Sequence, residues 1–220
     1  MSESNFNIST KKMVNHYSCK DVIILESTIE YFEFDEKNNK KVWECFNKAY
    51  CRGALWLQAY GRKKLYPMAA KDYTQSDNEN RPFHTYDLQN AIFAPYARAP
   101  FLSTYNDVYE YTGGAHGITT RYSDTYNTRT GRRLPLSKFF PESCCYKDIA
   151  IEEIKRQAQI RQKNEQMFFD EYLEDIPKYF ECKNYYLRDN GLVIYYQLYT
   201  IAPYSSGIIE FFMPFSVFEC

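Results

Sequence analysis

Two stretches of this 220-residue chain carry residue types that chemistry or binding needs. The first is Tyr111-Thr-Gly-Gly-Ala-His-Gly117. Its glycines permit a tight turn at positive φ, and successive backbone amides in such a turn can face an anion. His116 supplies an imidazole, a side-chain type that can serve as acid or base. The second is Ile201-Ala-Pro-Tyr-Ser-Ser-Gly207, which interrupts a strand pattern and sets Tyr204, Ser205 and Ser206 at its rim. Loops held on a rigid sheet are the usual carriers of function. A ligand-binding surface is therefore expected from turn 112–117 together with loop 200–207. Its residues are Tyr111, Gly113, Gly114, His116, Gly117, Tyr204, Ser205 and Ser206. The competing account is folding alone, with the glycines demanded by backbone geometry and Pro203 stiffening a strand crossing.

Other chemistry is sparse. Vicinal Cys144 and Cys145 precede a helical pattern and could act as a nucleophile with His116 as base, but no spacing supports the pair. The three histidines, His16, His84 and His116, form no HxxxH, and the seven cysteines form no CxxC. No metal site and no cofactor are expected, and no intrinsic catalysis. An odd number of cysteines cannot all pair within one chain. Reduced thiols acting as small hydrophobes are the default, with Cys45 buried on an apolar helix stripe. Asp170, Glu171, Glu174 and Asp175 read as a solvated face, or as a docking site for a cationic partner. The chain has 22 Tyr against 8 Gly. Rings at Tyr105, Tyr109, Tyr111, Tyr122 and Tyr126 either pack a half-buried sheet or stack on sugars.

Composition closes several alternatives. A net charge of −1 offers no clustered excess of cations for nucleic acid. No apolar run reaches the roughly 18 residues that a membrane span needs. The polar N-terminus shows no signal-peptide pattern, which predicts a cytoplasmic location, or an extracytoplasmic one if a leader was removed.

The elements that must position these residues follow from periodicity. Residues 1–20 read as a flexible tail. Val22–Phe34 is β-branched and aromatic and reads as a long strand. Val42, Cys45, Phe46, Ala49, Gly53, Trp56, Leu57 and Tyr60 form a helical stripe, which predicts burial of Trp56 and Leu57 and a close approach to a sheet at Gly53. Gly61 ends or kinks this helix, and Pro67 can start another turn. Residues 74–82 are the most polar stretch and the expected linker, and 84–93 suggest a short helical turn. Residues 101–111 and 118–127 read as strands of a meander around the glycine-rich break. Ala150, Ile151, Ile154 and Ala158 mark a second helical block, continued by Phe168, Phe169, Tyr172 and Ile176. Residues 183–199 form a hairpin with an Asn-Gly signal at Asn190-Gly191, and Ile208–Met213 is a last strand. The predicted fold class is α+β: an antiparallel sheet of meander and hairpins packed against helical blocks at 40–62 and 147–176. The predicted organisation is a tail (1–20), a strand-plus-long-helix region sharing the core (21–83) and a C-terminal domain (84–220).

The ordered set of motifs carries a resemblance. Tyr111–Gly117 comes first. Asn127-Thr-Arg-Thr-Gly131 follows, with Leu134, Leu136 and Phe139-Phe140. Then come Tyr186-Leu, Asp189-Asn-Gly191, Tyr195-Tyr-Gln197 and Ile201-Ala-Pro-Tyr204 with Gly207. Over about residues 84–215 the chain resembles the RsiV-like C-terminal domain family. That family comprises the extracytoplasmic domain of a lysozyme-sensing bacterial anti-sigma factor and a domain preceding the deacetylase module of PdaC-like enzymes of Gram-positive bacteria. Residues 22–75 resemble, more loosely, the region before that domain. The resemblance implies a sensor-like, non-catalytic binding module, with a C-type lysozyme or another cell-wall-associated protein as partner, or wall glycan. It does not extend to an anti-sigma role, since no sigma-binding segment or membrane helix is visible in this sequence. Two alternatives stay open: a hydrolase acting on cell-wall glycan or peptide with His116 in the site, and a glycan-binding module using surface tyrosines.

Overall fold

The computed structural model describes residues 7–35, 39–142 and 145–218. Its strands form two sheets. β1 (Asn7–Cys19), β2 (Val22–Asp35), β3 (Tyr86–Arg98), β4 (Phe101–Tyr111) and β5 (Ile118–Asn127) line up in chain order in a five-stranded sheet. β6 (Tyr185–Arg188), β7 (Gly191–Tyr196) and β8 (Ile209–Pro214) form a three-stranded antiparallel one. The helices are α1 (Lys40–Tyr60), α2 (Tyr66–Asn78), α3 (Tyr146–Glu165) and α4 (Tyr172–Lys178). The architecture is α+β, as the periodicity predicts, with two departures. The strands divide into two sheets, and β2 and β3 pair in parallel. Parallel neighbours need a long crossover, and α1 and α2 supply it.

The chain forms two compact units. Unit 1 comprises residues up to Phe93 with Asn106–Thr120 and Arg129–Gly131, and unit 2 comprises Ala94–Tyr105, Arg121–Thr128 and the chain from Arg132. The chain passes between them several times, so they do not part at the expected 83/84 boundary. The polar stretch 74–82 misled because its first residues, through Asn78, complete α2.

In unit 1, the expected tail is a strand. Residues Asn7–Cys19 pair antiparallel with β2 along their whole length, with one bulge at Tyr17/Ser18. Its polar composition misled because its outer face is solvated; Met13 packs on the Ile29, Ala54 and Leu57 cluster. Segment 84–93 is also a strand: Tyr86, Leu88 and Asn90 are buried in a period of two, the mark of a pleated surface. The inner face of α1 buries Trp43, Phe46, Ala54 and Leu57. Phe34 of β2 meets Trp43 at 5.3 Å and Tyr50 at 5.4 Å between ring centres, and the Asn47 amide bonds both the N–H and the C=O of Phe34.

The helix stripe is narrower than the sequence implies. Trp56 is 65% exposed and Cys45 is exposed, because both lie off the Trp43–Phe46–Leu57 line. Gly53 approaches nothing within 4 Å of where a Cβ would stand. The close approach occurs at buried Gly61, where a Cβ would lie 3.3 Å from Leu88. There the α-helix loosens into a π turn, Gly61–Leu65, and resumes in α2 with Pro67 in its first turn.

In unit 2, α3 lays Ala150, Ile154 and Ala158 on a core containing Leu187, Leu192, Ile194, Phe211 and Met213. The Asp189–Asn190 turn joins β6 to β7, with Asn190 at φ 63°. Gly191 is required by close approach, since a Cβ there would overlap the Phe212 ring and the Met213 carbonyl.

Candidate functional site

The two segments expected to form one surface belong to different units. In unit 1, β4 and β5 hold the turn. Gly113 and Gly114 stand at φ 92° and 91°, which only glycine adopts without strain. The Tyr111 hydroxyl donates to the Gly114 carbonyl at 3.0 Å, closing the turn. A Cβ on Gly117 would stand 2.5 Å from the Tyr109 ring and 2.7 Å from the Glu110 carbonyl oxygen. His116 is exposed, with Nδ1 3.0 Å from the Gly117 carbonyl oxygen. A carbonyl oxygen only accepts, so Nδ1 is the donor in this contact. Positive φ thus accounts for Gly113 and Gly114, and close approach for Gly117.

In unit 2, loop 200–207 leaves β7 through Tyr199, a non-glycine residue at φ 62°, and ends at Gly207, at φ 70°. The loop is pinned to the segment after α3. The Phe169 N–H donates to the Ile201 carbonyl, and the Ser206 hydroxyl donates to the Met167 carbonyl at 3.0 Å. Ile201 and Ala202 are buried beneath it. On its outer side the Tyr199 and Tyr204 rings lie 5.8 Å apart. Tyr199 is 50% exposed, and Ser205 is exposed beside it. Tyr199 was not among the expected residues; its signal is its place immediately before the loop, in the Tyr-rich end of the hairpin.

Sequence reasoning also missed a polar seam inside unit 2. Arg121, Ser123 and Thr125 are the buried face of β5, while Tyr122 points to solvent. Arg121 ion-pairs with Glu210 of β8. Its guanidinium carbon sits 4.1 Å from the Tyr105 ring centre and 5.7 Å from that of Tyr195. The Gln197 side chain accepts from the Arg121 N–H and donates to the Arg121 carbonyl. Ser103 bonds Thr125 and takes the Leu187 N–H at 2.9 Å, and Ser123 contacts the Tyr195 hydroxyl at 3.0 Å. Burial raises the Tyr186 phenol well above its usual range, and the nearby Glu210 charge adds to this. A lone Arg among Thr, Ser and Tyr was the available signal, but hydropathy ranks the tyrosines of that strand as its inner face. The seam keeps a cation, an anion and neutral phenols in fixed array; it is a rigid scaffold beneath exposed β-strand and loop surface.

The remaining expected residues are dispersed. Cys144 and Cys220 lie outside the described residues, and Cys145 is exposed. Asp175 pairs with Lys178, while Asp170, Glu171 and Glu174 are solvated. Among the described residues no group of three or more His, Cys, Asp or Glu could hold a metal ion, and no helix is long and apolar enough to cross a membrane.

The fold is a two-sheet α+β arrangement, and its exposed loop residues include His116, Tyr199 and Ser205. Residues 139–216 match the family described as protein of unknown function DUF3298, and residues 18–119 match the family model described as deacetylase PdaC. Two solved structures share the fold. A DUF3298 family member from Bacteroides fragilis is 19% identical with a TM-score of 0.73, covering 99% of this chain and 94% of its own. A DUF3298 family protein from Pseudomonas aeruginosa is 16% identical with a TM-score of 0.60, covering 96% and 92%. No curated protein matches the chain.

Proposed function

We propose that this chain is a non-catalytic, sensor-like binding module whose ligand is a protein of the cell wall environment, a C-type lysozyme in the first instance. The observation that carries the reading is the Tyr199–Tyr204 ring pair at the rim of a loop pinned by Phe169 and Ser206. Rigid aromatic rings with adjacent hydroxyls offer contact area at low entropic cost, as interface anchors do. The DUF3298 match over 139–216, which includes this loop, agrees with the resemblance to the lysozyme-sensing domain. The turn 112–117 enters the reading as a second, independent contact segment through exposed His116.

The test is titration of the purified chain with a C-type lysozyme by calorimetry, for wild type, Tyr199→Ala, Tyr204→Ala and His116→Ala. Each variant must melt at the wild-type temperature. Saturable binding that weakens tenfold or more in either tyrosine variant supports the reading; no heat from lysozyme ends it. The reading requires display outside the cytoplasmic membrane, so cell fractionation is its companion measurement. A chain found only in the cytoplasm would need a different partner.

The match of 18–119 to the PdaC deacetylase description and the exposed Tyr122 ring favour wall glycan as the second reading. Muropeptides, titrated in parallel and assayed for acetate release, separate glycan binding from hydrolysis. Release abolished by His116→Ala would make the chain a hydrolase.

A further inference from the structure

The outward face of α1 and the π turn has a composition opposite to the rest of the chain. Residues 40–65 contain seven Lys and Arg and a single acidic residue, Glu44, while the remainder, with 20 basic and 27 acidic residues, is net −7. Lys41, Lys48 and Arg52 lie one or two helical turns apart on the solvent side, followed by Leu55 and Trp56. Arg62, Lys63 and Lys64 follow at the π turn, all exposed, and Met68 lies beyond them. Among the described residues, Lys48, Arg52, Lys63 and Lys64 make no ion pair. Trp56 stacks on Tyr60 at 5.9 Å, nearly parallel. Tyr60 is held from behind by its hydroxyl bond to Glu110. The indole is thus propped outward on a rigid helix with cations on both sides along the axis.

We propose that this face docks the protein peripherally on an anionic phospholipid bilayer, with Trp56 and Leu55 entering the headgroup region and Lys48, Arg52, Lys63 and Lys64 meeting lipid phosphates. Charge complementarity selects an anionic partner. The apolar pair at the centre selects a bilayer over a soluble polyanion, because an interfacial helix gains from burying Trp and Leu at the acyl boundary, where Trp is enriched. The proposal is independent of the wall-ligand reading: it uses other residues and survives that reading's failure.

The full chain supplies its own probe, since of its two tryptophans Trp43 is buried and Trp56 exposed. Vesicles of phosphatidylcholine alone, and with roughly a third phosphatidylglycerol, are titrated while tryptophan emission and co-sedimentation are followed. The expected result is sedimentation and a blue shift with the anionic vesicles only, both reduced by raising salt. Each of R52Q, K63Q and K64Q should weaken partitioning about fivefold, and W56Q should remove the blue shift while its Trp43 emission and melting temperature stay unchanged. Equal binding to neutral vesicles, no binding to anionic ones, or wild-type partitioning by the triple variant R52Q/K63Q/K64Q would overturn the proposal. So would wild-type partitioning by W56Q, or an identical blue shift with soluble polyphosphate.

Discussion

Arg121 of β5 reaches Glu210 of β8 with its guanidinium, 9% exposed as a side chain, while the same cation covers the Tyr105 ring at 4.1 Å. One charged pair thereby joins the two sheets' contributions to unit 2. A nearly buried cation needs its counterion and ring face, because desolvation otherwise costs several kcal/mol.

Arg121→Ala should therefore lower stability by about 2–3 kcal/mol, below the range for fully buried pairs because Glu210 keeps some solvent contact. Glu210→Gln should cost at least as much, since it leaves the more buried Arg121 cation without its counterion. Urea unfolding curves of the two variants measure both effects. An Arg121→Ala midpoint equal to wild type would show the pair to be idle.

Gly117 and Gly53 should respond to alanine with opposite signs. At Gly117 the new methyl meets the Tyr109 ring and the Glu110 carbonyl, so Gly117→Ala is destabilising. At Gly53, inside α1 with open space around it, alanine relieves a helix-interior glycine and should add about 0.5–1 kcal/mol. Thermal melts of the two variants, compared side by side, decide it.

Unit 2 should lose stability in alkali. Burial pushes the Tyr185 phenol up to about 12 and raises Tyr126, Tyr186 and Tyr196 further. A phenol harder to ionise when folded than unfolded favours the folded state fully below its ordinary value, near 10. That contribution is lost as pH rises toward the folded value. Phenolate absorbance should show a late-titrating subset that is released together with the loss of circular dichroism. A single titration of all tyrosines near their ordinary value, with the fold intact, would contradict this.

The thiols should differ in reactivity. Cys45 and Cys145 are exposed, whereas Cys19, Cys51 and Cys182 are half-buried. Cys182 also lies 3.4 Å from the Tyr146 hydroxyl. Alkylation of the native protein, read by intact mass and peptide mapping, should label Cys45 and Cys145 first. Thiols that become reactive only after a reductant is added would indicate disulfides.

The sequence by itself determined the elements whose burial pattern matches their composition. β2 and β5 ended where β-branched and aromatic residues ended, α1 ran from Lys40 to Tyr60 along its apolar stripe, and the Asn190-Gly191 signal marked the β6–β7 turn. The need for Gly113 and Gly114 was legible for the same reason: their positive φ is a short-range property of the turn. Only the tertiary structure decided the rest. β1 looks polar because one of its faces is solvated, and only pairing with β2 makes it a strand. Tyr86–Asn90 reads as a short helical turn until β2 lies beside it in parallel. Trp56 and Cys45 sit near the apolar stripe, yet side-chain direction and the width of the contact with β2 leave them outside. Arg121 is buried against the ranking of hydropathy because Glu210, Tyr105 and Gln197, distant in sequence or on other strands, satisfy its charge and backbone. Partners of that kind are long-range, and no window of neighbouring residues contains them.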